Sequence, residues 1–254
     1  MTDEIQRISE QTGIAVSEVK AAIEELKKQG LTDTGALAVS KSQKRNLLGG
    51  KMADVVARVL MVESPREVQK GSEMLRIASV HLLAAADGKF NPEENPKQTS
   101  LWNENADLAN GLSPNQVISF KGKIMGDGLD VRLMDKSINP STVQLPTTKE
   151  LIQAIASVKN ITLAHAIADV AGIRKVKRDV ATVGKYALVK GTVGRIISAG
   201  ASNSRGIEIS AEDVDPLTVW LDDDTPANLG SDVIIYGFIS EKGGQYKMRG
   251  RIVA

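Results

Sequence analysis

The chain has 254 residues, with 32 Lys and Arg against 31 Asp and Glu, a formal net charge of +1, so any basic surface is local rather than global. It contains no cysteine and two histidines, which excludes disulfides and cysteine-ligated zinc or iron–sulfur centres and argues against a multi-histidine metal site. The opening Met-Thr-Asp-Glu lacks the basic and apolar regions of a signal peptide, and the apolar runs are far too short for a bilayer, so the expectation is a soluble cytoplasmic protein, nucleoid-associated in a prokaryote, with no membrane and no cofactor.

Residues 1–45 read as a small helical module. Ile5, Ile8, Val16, Val19, Ile23 and Leu26 recur at three- and four-residue spacing, which lines a helix face. Thr12-Gly13 breaks the pattern, and Ser17 is the expected cap of the helix that follows, ending near Gly30. Two roles stay open for this module: docking of partner proteins, or a structural cap. Residues 41–51 form a basic, Gly-containing linker, either solvated or touching phosphate.

A first β domain is predicted over 52–146. Its opening strand carries Val55 to Leu60 and turns at Ser64-Pro65. A second strand over 75–83 puts Ile77, Ser79 and His81 on one face and Ala78, Val80 and Leu82 on the other. Asp87-Gly88 marks a turn, and Asn91 to Pro96 a long polar loop. Leu101-Trp102 is read as opening the third strand, with a short helix over 106–112. Strands over 117–124 and 129–134 are expected to pair across Met125-Gly126-Asp127-Gly128. Five strands with a helix between the third and fourth is the order of an OB-fold, a partly open Greek-key barrel.

Residues 147–182 read as a helical, basic linker. Leu151, Ile152, Ile155 and Val158 suit one helix face. Leu163, Ile167 and Val170 suit another, stopped by Gly172. Arg174-Lys175-Val176-Lys177-Arg178 is the densest positive run, either a solvated turn or a phosphate contact. A second β domain over 183–254 repeats the plan. Its last hairpin turns at Glu241 to Gln245, and Lys247, Arg249 and Arg251 alternate through the final strand, sharing one face. The fold class is therefore mainly β: a helical N-terminal module, then two five-stranded Greek-key OB barrels joined by a helical linker.

One phrase occurs in both β domains. Leu101-Trp102-Asn103-Glu104-Asn105-Ala106-Asp107 recurs as Val219-Trp220-Leu221-Asp222-Asp223-Asp224, with Pro226-Ala227 beyond. Each copy follows a valine-rich strand and precedes another. Aromatic residues are only 3% of the chain, so a tryptophan held twice at one motif position reads as a stacking platform for nucleotide bases, with core packing as the alternative. Cations that would meet phosphate are Arg58, Lys70, Arg76, Lys121, Lys123 and Arg132 in the first domain. Those of the second are Lys190, Arg195, Arg205, Lys247, Arg249 and Arg251. Alternation places some of them on the wrong face. Phe120 and Tyr236 occupy matched strand positions and read as core; Phe238 fits either role. The acidic run Asp222 to Asp224 reads as a turn rather than a metal site.

The order of a valine-rich strand, a strand ending in Leu-Trp-Asn-Glu-x-Ala-Asp and a Val-Ile-x-Phe/Tyr strand resembles the OB domains of replication protein A. The stretch Ile8-Ser9-Glu10-x-Thr12-Gly13, with Glu18-Val19 and Leu31-Thr32-Asp33-x-Gly35-Ala36-Leu37, is similar to the helical module that begins many archaeal replication protein A-like chains. The resemblance implies single-stranded DNA binding without strong sequence preference, in replication, repair and recombination. It implies Trp102 and Trp220 as first platforms and Tyr246 as the second platform of the C-terminal barrel. The matching hairpin of the first barrel, Met125 to Leu129, has no aromatic. Other replication or repair proteins would bind residues 1–45, and a homo- or hetero-oligomer is allowed for. An RNA- or tRNA-binding OB protein and an OB-fold adaptor for proteins are the alternatives. No Walker loop, nucleophile elbow or acid–base pair points to an enzyme.

Overall fold

The computed structural model describes residues 16–17, 20, 51–70, 73–124, 131–133, 137–177, 180–198, 205–212, 214–222 and 225–254. Val16, Ser17 and Lys20 are helical, which places Ser17 within a helix rather than at its cap. The rest of the expected N-terminal module, most of the basic linker, the 125–129 hairpin and Arg178 lie outside the described residues. The chain divides into two compact units, Met1–Leu145 and Pro146–Ala254.

The first unit is a twisted antiparallel sheet. Its strands are β1 (Lys51–Val62), β2 (Arg66–Lys70), β3 (Glu73–Ala86), β4 (Lys89–Phe90), β5 (Lys97–Trp102), β6 (Val117–Ile124), β7 (Val131–Leu133) and β8 (Asn139–Pro140). β1 pairs with both β3 and β6, β5 with β3, and β7 with β6. No ladder joins β5 to β7 among the described residues, so this unit is a half-barrel sheet where a partly open five-stranded Greek-key barrel is expected from the sequence. Val55, Ala57, Val59, Ala78, Val80, Leu82, Leu101, Ile118 and Phe120 form its core. Along β5, β6 and the first half of β1 these alternate with less buried residues, as a pleat with one core face requires, whereas over Ala78–Ala85 of β3 both faces are buried, with Ser79, His81 and Leu83 on the side away from this core. Asp87 and Gly88 turn β3 into β4 with φ of 48° and 75°, the left-handed values that a tight hairpin needs.

Two local expectations change. Trp102 ends β5 rather than opening a strand, and Asn103, with φ of 52°, turns the chain directly into a 3-10 helix over Asn103–Gly111. The polar segment 91–96 is no free loop. Asn95 is fully buried and substitutes for a strand neighbour: its Oδ1 accepts from the Ala84 amide at 2.8 Å, and its Nδ2 donates to the Ala84 carbonyl at 3.2 Å.

The second unit begins with two helices, α1 (Thr148–Val158) and α2 (Leu163–Val176). Thr147 and Glu150 form a capping box at the start of α1, which satisfies two otherwise orphaned amides. Leu151, Ile152 and Ile155 are buried, whereas Val158 is exposed. α2 runs straight through Gly172 instead of stopping there. It does more than connect: Leu163, Ala166 and Val170 enter the core of the barrel that follows.

That barrel is closed. Its strands are β9 (Val183–Ser198), β10 (Arg205–Ala211), β11 (Val214–Leu221), β12 (Asp232–Lys242) and β13 (Gln245–Ile252), in the cyclic order β10-β11-β13-β12-β9. All ladders are antiparallel except β11–β13, whose parallel pairing closes the wall. This connectivity is consistent with an OB-fold. Gly243 and Gly244, at φ of 59° and 82°, make the β12–β13 turn. Where those strands cross, Gly237 faces Gly250. A Cβ on Gly237 would lie 2.2 Å from the Arg249 carbonyl oxygen, so only glycine fits. No described helix is long and apolar enough to cross a membrane.

Candidate nucleic-acid interface

In β13 the pleat separates two sets of side chains. Met248 and Gly250 are buried, while Lys247 and Arg249 are exposed. Tyr246 shares the inward parity and packs against the barrel core. The second platform implied for Tyr246 therefore stands on the opposite side of the strand from the cations it was meant to accompany.

The outward face carries a different aromatic set. Register places Gly206 of β10 beside Trp220 of β11, Trp220 beside Arg249 of β13, Arg249 beside Phe238 of β12, and Phe238 beside Tyr186 of β9. These residues form one band running across all five strands. Strands lie about 4.8 Å apart, so the backbones bearing Trp220 and Phe238 are about 10 Å apart, with Arg249 between them.

Two glycines seat the rings. The Cβ that Gly206 lacks would lie 3.1 Å from Trp220 Cε3 and Cζ3, and that of Gly184 would lie 2.6 Å from Phe238 Cζ. Each ring thus occupies the space above a neighbouring glycine, and Trp220 is half-buried there. Phe238 is 37% exposed. Its ring meets Tyr186 at 5.1 Å between centroids and 59° between planes, and Tyr186 in turn stacks on Tyr236 at 5.9 Å and 25°. Such tilted and offset pairs fix ring orientation. Tyr236 is 4% exposed, as expected for a packed residue, but it belongs to this outward aromatic cluster, whereas Phe120 enters the core of the first unit. Their matched motif positions differ by one step of the pleat.

Arg249 is anchored from one side. Its Nε donates to Asp222 Oδ1 at 2.5 Å. This hydrogen bond, then the Asp222 charge and more weakly Tyr186, raise the arginine pKa above its ordinary value against a small opposing effect of burial. Lys247 lies two residues along the same outward face. Arg251 shares it, partly buried, opposite Tyr236.

The remaining candidates scatter. Lys190 is exposed on β9, opposite Ile234 and away from the band. Arg195 lies 3.9 Å from Glu208. Arg205 donates to the carbonyls of Thr225 and Ala227. Arg174, in the basic run, is structural: it holds Glu241 and the carbonyls of Val180 and Ala181, tying the end of α2 to the barrel.

In the first unit Trp102 is 42% exposed and faces outward beside Ile77. Among the described residues no glycine lies opposite it. Arg58 is committed elsewhere, donating at 2.9 Å to the carbonyls of both Asn115 and Leu145. Arg76 pairs with Asp107 at 2.9 Å, on the opposite side of β3 from Ile77. Lys121 and Lys123 point outward from β6, and Arg132 of β7 stands opposite Lys123 in register; its side chain, like that of Lys70, lies outside the described residues. The residues that sequence reasoning missed are Tyr186, Gly184 and Gly206. Among the described residues no group of three or more His, Asp or Glu side chains is arranged to hold a metal.

No protein family matches the sequence, and no curated protein matches it. Among solved structures, the chain is similar to a replication protein A heterotrimer bound to ssDNA, at 14% identity and a TM-score of 0.37, over 81% of this chain and 49% of that one. It is similar to the Ifi202 HINa domain in complex with 20-bp dsDNA, at 14% identity and a TM-score of 0.34, over 81% and 96%. A single-stranded DNA-binding protein from Thermus aquaticus is matched at 10% identity and a TM-score of 0.23, over 81% and 91%. Likenesses this loose say nothing about what the band binds.

Proposed function

We propose that this chain binds single-stranded DNA without strong sequence preference and has no catalytic activity. The observation that carries the reading is the outward row Trp220–Arg249–Phe238–Tyr186. Flat rings seated on glycines accept bases whatever their identity, each stack contributing about 1–3 kcal/mol. Arg249 stands between the rings of Trp220 and Phe238, with Lys247 two residues along the same face, where a backbone tracking from base to base would place phosphate. Trp102, Lys121 and Lys123 supply a weaker second surface. On this reading both units are OB barrels of a replication protein A-like chain, acting in the cytoplasm or nucleoid during replication, repair and recombination, with residues 1–45 engaging protein partners.

Fluorescence anisotropy of a labelled oligo-dT of about 30 nucleotides, with duplex DNA and poly-U as competitors, tests the proposal. Expected is binding that weakens between about 50 and 200 mM salt and resists both competitors. Effective competition by poly-U would convert the reading to RNA binding. Absence of binding at low salt would overturn it.

A further inference from the structure

We infer that Asp222 is an internal stand-in for phosphate: a carboxylate that occupies the Nε side of Arg249 and must yield or share that cation when a nucleic-acid strand enters the band. The inference rests on the reading of this face as a nucleic-acid interface and adds to it an acid that sets the affinity.

The basis is geometric. Of the outward cations, Arg249 is the one in register with both Trp220 and Phe238. It is also bound to a carboxylate, at 2.5 Å. The backbone of Asp222 is held beside its cation, because its amide donates to the Gly250 carbonyl at 2.8 Å, next to Arg249 in the sequence. The guanidinium side chain is 79% exposed and that of Asp222 only 32%, so the cation reaches outward over its acid. A carboxylate and a phosphate are equivalent acceptors for a guanidinium. A phosphate arriving between the rings must displace the carboxylate from Nε, or take the outer edge of the fork with a like charge close beside it. Either route lowers affinity, and exposed pairs of this kind are worth about two- to fivefold in a binding constant.

The test uses the full chain as wild type, Asp222→Asn, Arg249→Gln and the double variant, titrated with labelled oligo-dT and with inorganic polyphosphate at two salt concentrations. Asp222→Asn is expected to tighten oligo-dT binding about two- to fivefold at low salt. It should also steepen the log–log salt slope by up to about 0.7, the value of one more neutralised phosphate on a single strand. In the Arg249→Gln background the gain should disappear. Asp222→Ala, which also removes the hydrogen bond, should act in the same direction, and Asp215→Asn, an exposed acid elsewhere on β11, should have a smaller effect. Unchanged or weaker binding by Asp222→Asn, or a gain that persists without Arg249, would overturn the inference while leaving single-strand binding intact. Failure of the wild type on oligo-dT, with an Arg249-dependent gain on polyphosphate, would remove the nucleic-acid reading and keep the stand-in. No binding of either probe by any variant would overturn both.

Discussion

Trp220→Ala and Tyr246→Ala should separate binding from stability in opposite directions. The two residues sit on adjacent strands of one barrel, Trp220 on the outer face above Gly206 and Tyr246 on the inner side against the core. Removing Trp220 deletes one stacking surface and leaves the core untouched, so the expected loss is about 1–3 kcal/mol of single-strand affinity, or about five- to 150-fold in Kd. Its effect on folding should stay within about 1 kcal/mol. Removing the partly buried Tyr246 ring costs about 2 kcal/mol of stability, roughly half the value for a fully buried aromatic. For a unit of this size that lowers Tm by about 8–15 °C, with Kd nearly unchanged at temperatures where the barrel is folded. Anisotropy titrations with oligo-dT and thermal melts monitored by circular dichroism provide the two readouts. If Tyr246→Ala lost as much affinity as Trp220→Ala without a change in Tm, the assignment of faces in β13 would be refuted.

Gly206→Val should act on the same platform from below: the new side chain occupies the seat of Trp220, and Kd should rise about tenfold with the melt preserved. Trp102→Ala should cost less affinity than Trp220→Ala, because Trp102 faces Ile77 and lacks an aromatic neighbour across the strand; equal losses in titrations would contradict the ranking. Arg58→Gln should leave binding unchanged and lower stability by about 1.5–3 kcal/mol, the loss of charged hydrogen bonds to two carbonyls, measured by urea unfolding. Glu241 accepts hydrogen bonds from the Gly244 amide and Arg174, which hold its carboxyl below the ordinary glutamate value in the folded state. The stability it provides is therefore complete above that ordinary value and is lost as pH falls through the lower, folded one. The melting temperature should drop across that acid window, and Glu241→Gln should flatten this part of the profile.

Much of the band was legible as sequence. The alternation of Lys247, Met248, Arg249 and Gly250 assigns the cations to one face by the period of a strand alone. The same parity puts Tyr246 with Met248, and the resemblance to replication protein A pointed the other way. Phe238 follows Gly237 at one step of the pleat from the core, which is why it fitted either role until the register was known. Tyr186, Gly184 and Gly206 were not legible, because their meaning lies in cross-strand neighbours far away in the chain. Arg58 and Arg174 look like any surface arginine until the carbonyls they satisfy are seen. The first domain shows the limit of motif matching: Phe120 and Tyr236 align as letters and point to opposite sides of their sheets.

The chain has two tryptophans, so a Trp102→Phe variant leaves Trp220 as the sole indole reporter. Its emission, followed while oligo-dT is titrated in and anisotropy of the same oligonucleotide is read in parallel, tests the central claim most directly. Stacking of a base on Trp220 should quench the emission, with a midpoint matching the anisotropy curve and with both curves shifting together as salt is raised. Anisotropy that saturates while Trp220 emission stays unchanged would place the strand elsewhere on the molecule and contradict the account.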